Sequence, residues 1–351
     1  MNIPLHPEDL KAFWIAFFVS ALLSKPILNL LIKAKSRQTV SSHLEGHATK
    51  QGTPTMGGFI ILVGMFAGGL LSNPNQSTKS LLGVGLLFAL IGFVDDYVVP
   101  RLMPGKRGLG WKQKIVMQVL AAAVPMALLG AEVKMLALAA FIILFFANAY
   151  NFADGLDGLA GSILLGQIVG MIGIPAALGP EVFVSALLPL SMLGGLLVFL
   201  FWNAPKAKVF MGDVGALSIG AILGAYWLTV TYSPHFHDDE LQTGTSITSL
   251  ILSVLIWSIP MICELVPVPL QVFSVKVFKK KLFPFTPIHH AFEEIKLKPG
   301  ETEESESYIE RKRTSPRWAH WPETRIVFTF AIFQLLCSML AITVAYFSVN
   351  K

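Results

Sequence analysis

Apolar residues run through this chain in long blocks, near 10–32, 56–72, 80–99, 115–131, 134–153, 158–178, 182–202, 214–232, 246–267 and 326–348. Polar residues collect in the stretches between. The blocks lack the strict alternation of a half-buried strand, and a run of about 20 apolar residues is what crosses hydrocarbon as a helix. Lipid offers the backbone no hydrogen-bond partner, so each block is predicted to be a helix and not a barrel strand. The pattern predicts an all-α polytopic integral membrane protein of about ten transmembrane helices, a single membrane-embedded domain over 1–351. Pro4, Pro7, Glu8 and Asp9 precede the first block where a signal peptide would carry a basic leader, so that block reads as a retained span.

Composition sharpens this picture. With 54% apolar and 14% charged residues and a mean hydropathy of +0.63, the chain lies far from disordered and collagen-like sequences and from the average soluble domain. Its two cysteines, Cys263 and Cys337, fall inside apolar blocks, which leaves no disulfide framework. Of the 27 Lys and Arg residues, only Lys11, Lys79, Lys134 and Lys351 fall in one set of loops, and Lys25 lies within the first block. The rest crowd the other set, above all 268–325. The positive-inside bias therefore puts the basic loops in the cytoplasm and both termini outside. The segment His235–Glu240 is acidic and belongs to the outer set. A charged insertion at about 294–320 is expected to be a cytoplasmic loop or a short amphipathic element.

Five aspartates end or begin apolar blocks on the side assigned to the cytoplasm: Asp95, Asp96, Asp154, Asp157 and Asp213. An ionised Asp at the bilayer centre costs about 2.5–3.5 kcal/mol even on the lenient insertion scale, so all five are expected at the interface or in a wet cavity. In FVDDY, neighbouring carboxylates on a helix point about 100° apart. They repel unless a proton or a cation separates them, so a divalent ion or bound proton is expected. In NAYNFADGLDG, Asn148, Asn151, Asp154 and Asp157 recur every three residues, which stacks them along one helix face. In FMGDVG, Asp213 is placed to cap a helix, or to hold Mg²⁺ while nearby amides meet phosphate. Lys50, Thr53 and the glycines up to Gly58 suit an anion, although the spacing is not that of a Walker loop. His289 and His290 form an adjacent pair, suited to anions or proton transfer and not to zinc, since no cysteine stands near. Carboxylates, amides and lysines at a lipid interface suit magnesium-assisted transfer of a phosphate-linked group between a soluble and a lipid substrate.

GTPTMGG at 52–58, DD at 95–96, NAYNFADGLDGLA at 148–160, NAPKAKVFMGDVGALSIG at 203–220 and PIHHAFE at 287–293 together resemble the phospho-N-acetylmuramoyl-pentapeptide-transferase family. That family lies within the polyprenyl-phosphate N-acetylhexosamine-1-phosphate transferase superfamily. Glu264 and Gln271, separated by Pro267 and Pro269, resemble its broken ninth helix. The resemblance implies transfer of phospho-N-acetylmuramoyl-pentapeptide from its UDP-linked form to undecaprenyl phosphate. The products would be lipid I and UMP, with Mg²⁺ as cofactor, and whether attack is direct or passes through a phospho-enzyme stays open. It implies Asp213 as the metal ligand and Asp95, Asp96, Asp213 and His289 as the catalytic set. Lys50, Thr53, Lys114, Asn148, Asn151, Asp154, Asp157, Asn203, Phe210, Gln271 and His290 would bind substrate, Phe210 by stacking on uracil. The partners implied are undecaprenyl phosphate, UDP-N-acetylmuramoyl-pentapeptide and the lipid bilayer of a bacterial inner membrane, with the site facing the cytoplasm. No nucleic acid is expected, and the assembly is left open, a homodimer included. Val99 stands where the family pattern carries a lysine, which Lys106, Arg107 or Lys112 would replace, and Ala291 stands where it carries a third histidine. A superfamily member using UDP-N-acetylglucosamine is the nearer alternative. A transporter or lipid flippase without chemistry is the more distant one, with charges expected near the bilayer midplane.

Overall fold

The computed structural model describes residues 5–34, 52–103, 105–106, 108–128, 132–180, 182–183, 185–232, 247–293, 301–302, 304–314 and 320–349. Their regular structure is helical: α1 (Pro7–Lys33), α2 (Gly58–Leu71), α3 (Gln76–Phe93), a π turn at Val94–Val98, α4 (Val99–Leu102), α5 (Trp111–Leu128), α6 (Val133–Ala153), α7 (Leu159–Leu178), α8 (Leu187–Asn203) and α9 (Gly212–Thr231). There follow α10 (Ile247–Trp257), α11 (Ile259–Leu265), α12 (Pro267–Phe278), a 3₁₀ turn at Ile288–Phe292, α13 (Glu306–Thr314) and α14 (Glu323–Val349). Each of the ten apolar blocks carries helix. Seven helical runs among the described residues have the length and composition to cross a membrane, while α2, α8 and α10 are apolar but shorter.

Local chemistry sets many of the boundaries. Asp9 accepts the His6 N–H at 2.8 Å, with Pro7 at the first helical position, and this opens α1. The Asn75 side chain accepts the Thr78 N–H at 2.8 Å and caps α3. Beyond Trp257 the helical run is interrupted at Ser258 and again at Val266, in each case one or two residues ahead of a proline (Pro260, Pro267) that has no N–H to continue the ladder. The run expected to end at 267 instead continues to Phe278, because the second interruption changes the helix without ending it.

Helix α9 is buried over almost its whole length, with α2, α3 and α6 packed around its first turns and flanks. Its contact positions are largely small (Gly215, Ala216, Ser218, Gly220, Ala221, Gly224), which lets backbones approach closely where lipid supplies no hydrophobic drive between helices. Outside this centre, α1 packs on α8 and α7 on α14. Polar side chains join α7, α10 and α14: Trp257 donates to the Gln167 carbonyl at 3.1 Å, Gln334 donates to the Trp257 carbonyl at 3.1 Å, and Ser338 donates to the Gly166 carbonyl at 2.8 Å. Large apolar side chains such as Leu22, Phe141, Phe201, Phe328 and Phe347 stand exposed on the outer faces. A soluble chain rarely exposes so many, and a lipid-facing rim accounts for them. The protein is a multi-pass membrane protein.

Candidate active site

The site forms at one end of the bundle, where α3, α5, α6 and α9 begin or end. After Phe93 the helix widens into a π turn: the Val99 N–H reaches back to the Val94 carbonyl, five residues earlier. Such turns are rare and recur at functional sites. Here it carries both Asp95 and Asp96 toward Asp213, although ordinary helical spacing favours turning one of two neighbours away. Carboxylate oxygens of Asp95, Asp96 and Asp213 lie within 4.8 Å of one another.

The first turn of α9 has backbone N–H groups with no partner inside the helix. Two of them meet carboxylates from elsewhere: Asp213 N–H donates to Asp96 Oδ2 at 2.8 Å and Gly212 N–H to Asp154 Oδ2 at 3.1 Å. The partial positive charge of that helix end favours anions at this place. Asp213 therefore sits where the chain itself draws acidic groups together. Asn151 donates to Asp213 Oδ1 at 2.7 Å, and Lys114 reaches both Asp213 Oδ2 and, at 3.1 Å, Asp95 Oδ2. The Leu109 N–H closes on Asp95 Oδ1 at 2.5 Å and fixes the second acid against the loop before α5.

Close packing of backbone makes this convergence possible. A Cβ on Gly92 would lie 2.4 Å from the backbone of Asp213, so α3 and α9 cross there with no room for a side chain. Segment 54–58 lies beside 209–211: Phe210 N–H donates to the Pro54 carbonyl at 2.9 Å, and Gly57 and Gly58 donate to the Phe210 and Met211 carbonyls at 2.7 and 3.0 Å. Thr55, which the sequence pattern does not single out, comes with that segment, its hydroxyl 2.5 Å from where a Cβ on Gly212 would sit. Membership of GTPTMGG was its one visible signal.

The face expected to carry Asn148, Asn151, Asp154 and Asp157 is corrected: α6 ends at Ala153, so Asp154 and Asp157 stand beyond it in the turn that follows. Asn148 donates to Gln118 Oε1 and to the Leu144 carbonyl, both at 2.8 Å, tying α6 to α5. Asn203 is buried, accepts the Gly158 N–H at 3.0 Å and donates to the Val209 carbonyl at 2.8 Å. Buried Asp157 accepts the Ala207 N–H at 2.9 Å, while its own N–H donates to Glu323 at 2.7 Å. Phe210 is buried, and Thr53 is half-buried on the segment beside it. The Gln271 amide is taken up by the backbone of Leu282 and Phe283. His289 is wholly buried with Nδ1 2.8 Å from Glu264, and His290 pairs with Glu293. Lys50 and Arg107 lie outside the described residues. Of the residues expected to replace the lysine missing at 99, Lys106 is exposed, and Lys112 is exposed and lies over the Trp111 ring. Lys114 is the cation on the carboxylates among the described residues.

Three carboxylates facing one ammonium leave a surplus of negative charge. Their donor atoms are all hard oxygens, the set that Mg²⁺ takes when it binds one or two carboxylates and leaves its other positions to water and phosphate. The arrangement fits such an ion, and Asp213, Asp95 and Asp96 are the residues that could hold it.

Residues 78–231 match the model for glycosyl transferase family 4, and residues 50–62 match phospho-N-acetylmuramoyl-pentapeptide-transferase signature 1. A phospho-N-acetylmuramoyl-pentapeptide-transferase of Thermotoga maritima is 33% identical over 342 residues, covering 92% of this chain and 96% of the relative. Enzymes of the same name from Moorella thermoacetica and a Wolbachia of Brugia malayi are each 32% identical, covering 96% and 97% of this chain and 99% of each relative.

Proposed function

From the premise that the chain belongs to the phospho-N-acetylmuramoyl-pentapeptide-transferase family and is a transferase, we propose that it moves phospho-N-acetylmuramoyl-pentapeptide from its UDP-linked form to undecaprenyl phosphate. In net terms the bond from the sugar-linked phosphorus to UMP breaks and one to an oxygen of the lipid phosphate forms, directly or by way of a phospho-enzyme, and lipid I and UMP leave. The observation that carries the reading is the convergence of Asp95, Asp96, Asp213 and Lys114 from three separate helix ends. In this reading Asp213, with Asp95 and Asp96, holds Mg²⁺, which neutralises charge on the departing phosphate when bound. Lys114 meets a phosphate oxygen as a point charge. Asp95, held by the Leu109 N–H, orients the lipid phosphate, and Asn151 keeps the Asp213 carboxylate turned toward the cluster.

The nucleotide binds on the 154–158 turn in this reading; Asn203 and Glu323 brace the turn's backbone, and the Ala207 N–H holds the Asp157 carboxylate. The chain lies in a bacterial inner membrane with ten spans, both termini outside and this end facing the cytoplasm, as the basic loops imply. The test is UMP release by purified protein given undecaprenyl phosphate and either of two UDP-sugars. Release from the muramoyl-pentapeptide nucleotide is expected. Release from UDP-N-acetylglucosamine alone would overturn the substrate.

A further inference from the structure

His289 is placed by resemblance among the catalytic residues, yet its side chain is entirely covered, as is that of Glu264 on α11. Nδ1 stands 2.8 Å from Glu264 Oε2. Nε2 has no hydrogen-bond partner among the described residues and abuts Gly155: a Cβ added there would lie 2.4 Å from Nε2 and 2.9 Å from Cε1. Gly155 is itself exposed, so the ring supports the turn from behind while the turn's other side stays open. The next residue back, Asp154, accepts the Gly212 N–H at the start of α9, immediately before Asp213. One line of contact thus runs from Glu264 through the imidazole to the 154–158 turn and on to the acidic cluster.

From this we infer that Glu264 and His289 form a buried positioning pair: the carboxylate holds the imidazole, and the imidazole sets the Asp154–Gly155 turn against which the nucleotide sugar binds. The inference rests on the reading that this turn serves the nucleotide. A carboxylate accepting Nδ1–H fixes both the tautomer and the tilt of the ring, as carboxylates do behind ligating histidines. Removing every acceptor for Nδ1–H frees the ring to rotate and the turn loses its backing. A substitution that keeps an acceptor leaves the ring in place. Only glycine at 155 lets the ring close on the backbone.

The test compares Glu264→Gln, Glu264→Leu and Gly155→Ala in the full-length protein. Equilibrium binding of UDP-N-acetylmuramoyl-pentapeptide is measured alongside KM for both substrates and kcat. Glu264→Leu and Gly155→Ala are expected to weaken nucleotide-sugar binding and raise its KM by about 10–100-fold, the range for groups that orient a functional residue. The KM for undecaprenyl phosphate stays within about threefold in both, and Glu264→Gln restores near-wild-type binding, since its amide oxygen still accepts Nδ1–H. The double variant loses little more than either single one, because both changes act through one ring. If Glu264→Gln is as impaired as Glu264→Leu, or if kcat alone falls while nucleotide affinity is unchanged, the inference is wrong. Equilibrium binding needs no turnover, so nucleotide binding without UMP release by the wild type would count against the proposed reaction and leave this inference to stand on its own variants.

Discussion

Lys114 stands between Asp95 and Asp213 with 18% of its side chain exposed, and no other described cation touches the three carboxylates. Replacing it with methionine keeps most of the stem's volume and removes the charge. UMP release by Lys114→Met is expected to fall about 10²–10³-fold, the loss typical of one group aimed at developing charge. Lys114→Arg is expected to recover only part of it, because a planar fork does not replace a point charge held between two acids. Steady-state assays of both variants check this. At this scale the acids were legible in the sequence, since Asp at the end of an apolar block is costly unless it faces a wet site. The surroundings of the amides were not. Asn148, Asn203 and Gln271, on three different helices, look like ligand donors in their motifs. Nothing along the chain says that neighbouring backbone will engage them, as that of Leu144, Gly158 and Phe283 does. The lysine missing at 99 likewise gave no sign that Lys114, across the loop, is the cation held by both Asp95 and Asp213.

The crossing of α3 and α9 decides whether the two acidic segments meet. Gly92→Ala puts a methyl group 2.4 Å from the Asp213 backbone, so α9 must shift. The expected cost is about 1–3 kcal/mol of stability, the range for overpacking, together with lost activity. Gly83 lies in the same helix with nothing within 4 Å of an added Cβ. Gly83→Ala is expected to leave activity unchanged and to add up to about 0.5–1 kcal/mol through helix propensity. Thermal unfolding of both variants in detergent separates the two cases. Helix positions were legible because each apolar block must satisfy its own backbone in lipid. The π turn at Val94–Val98 was not, since widening by one residue leaves no mark in composition, and it is this turn that brings both Asp95 and Asp96 to the site. Prolines marked the interruption near 267 correctly, but a residue without an N–H can redirect a helix without ending it, and α12 continues to Phe278.

Across the whole molecule, the acidic cluster occupies one end of a bundle whose outer faces are apolar. The distribution of Lys and Arg predicts which end faces the cytoplasm. With Cys263 and Cys337 replaced by serine, a cysteine at Lys106 is expected to react with an impermeant maleimide only from the cytoplasmic side. A cysteine at Lys79 is expected to react only from the opposite side. The reverse pattern would contradict the orientation. Fold class was legible from block length alone, and the meeting of residues 95, 154 and 213 was not, because nothing along a chain states which helix ends become neighbours. That meeting is most directly tested by Mn²⁺ binding to the purified protein, followed by electron paramagnetic resonance, Mn²⁺ sharing the oxygen-ligand preference of Mg²⁺. One tightly bound ion per chain is expected in the wild type, and Asp213→Asn should weaken it by more than the roughly 10–100-fold that losing a group behind a ligand costs. Binding of Mn²⁺ by Asp213→Asn with wild-type affinity would mean that these carboxylates do not form a metal site.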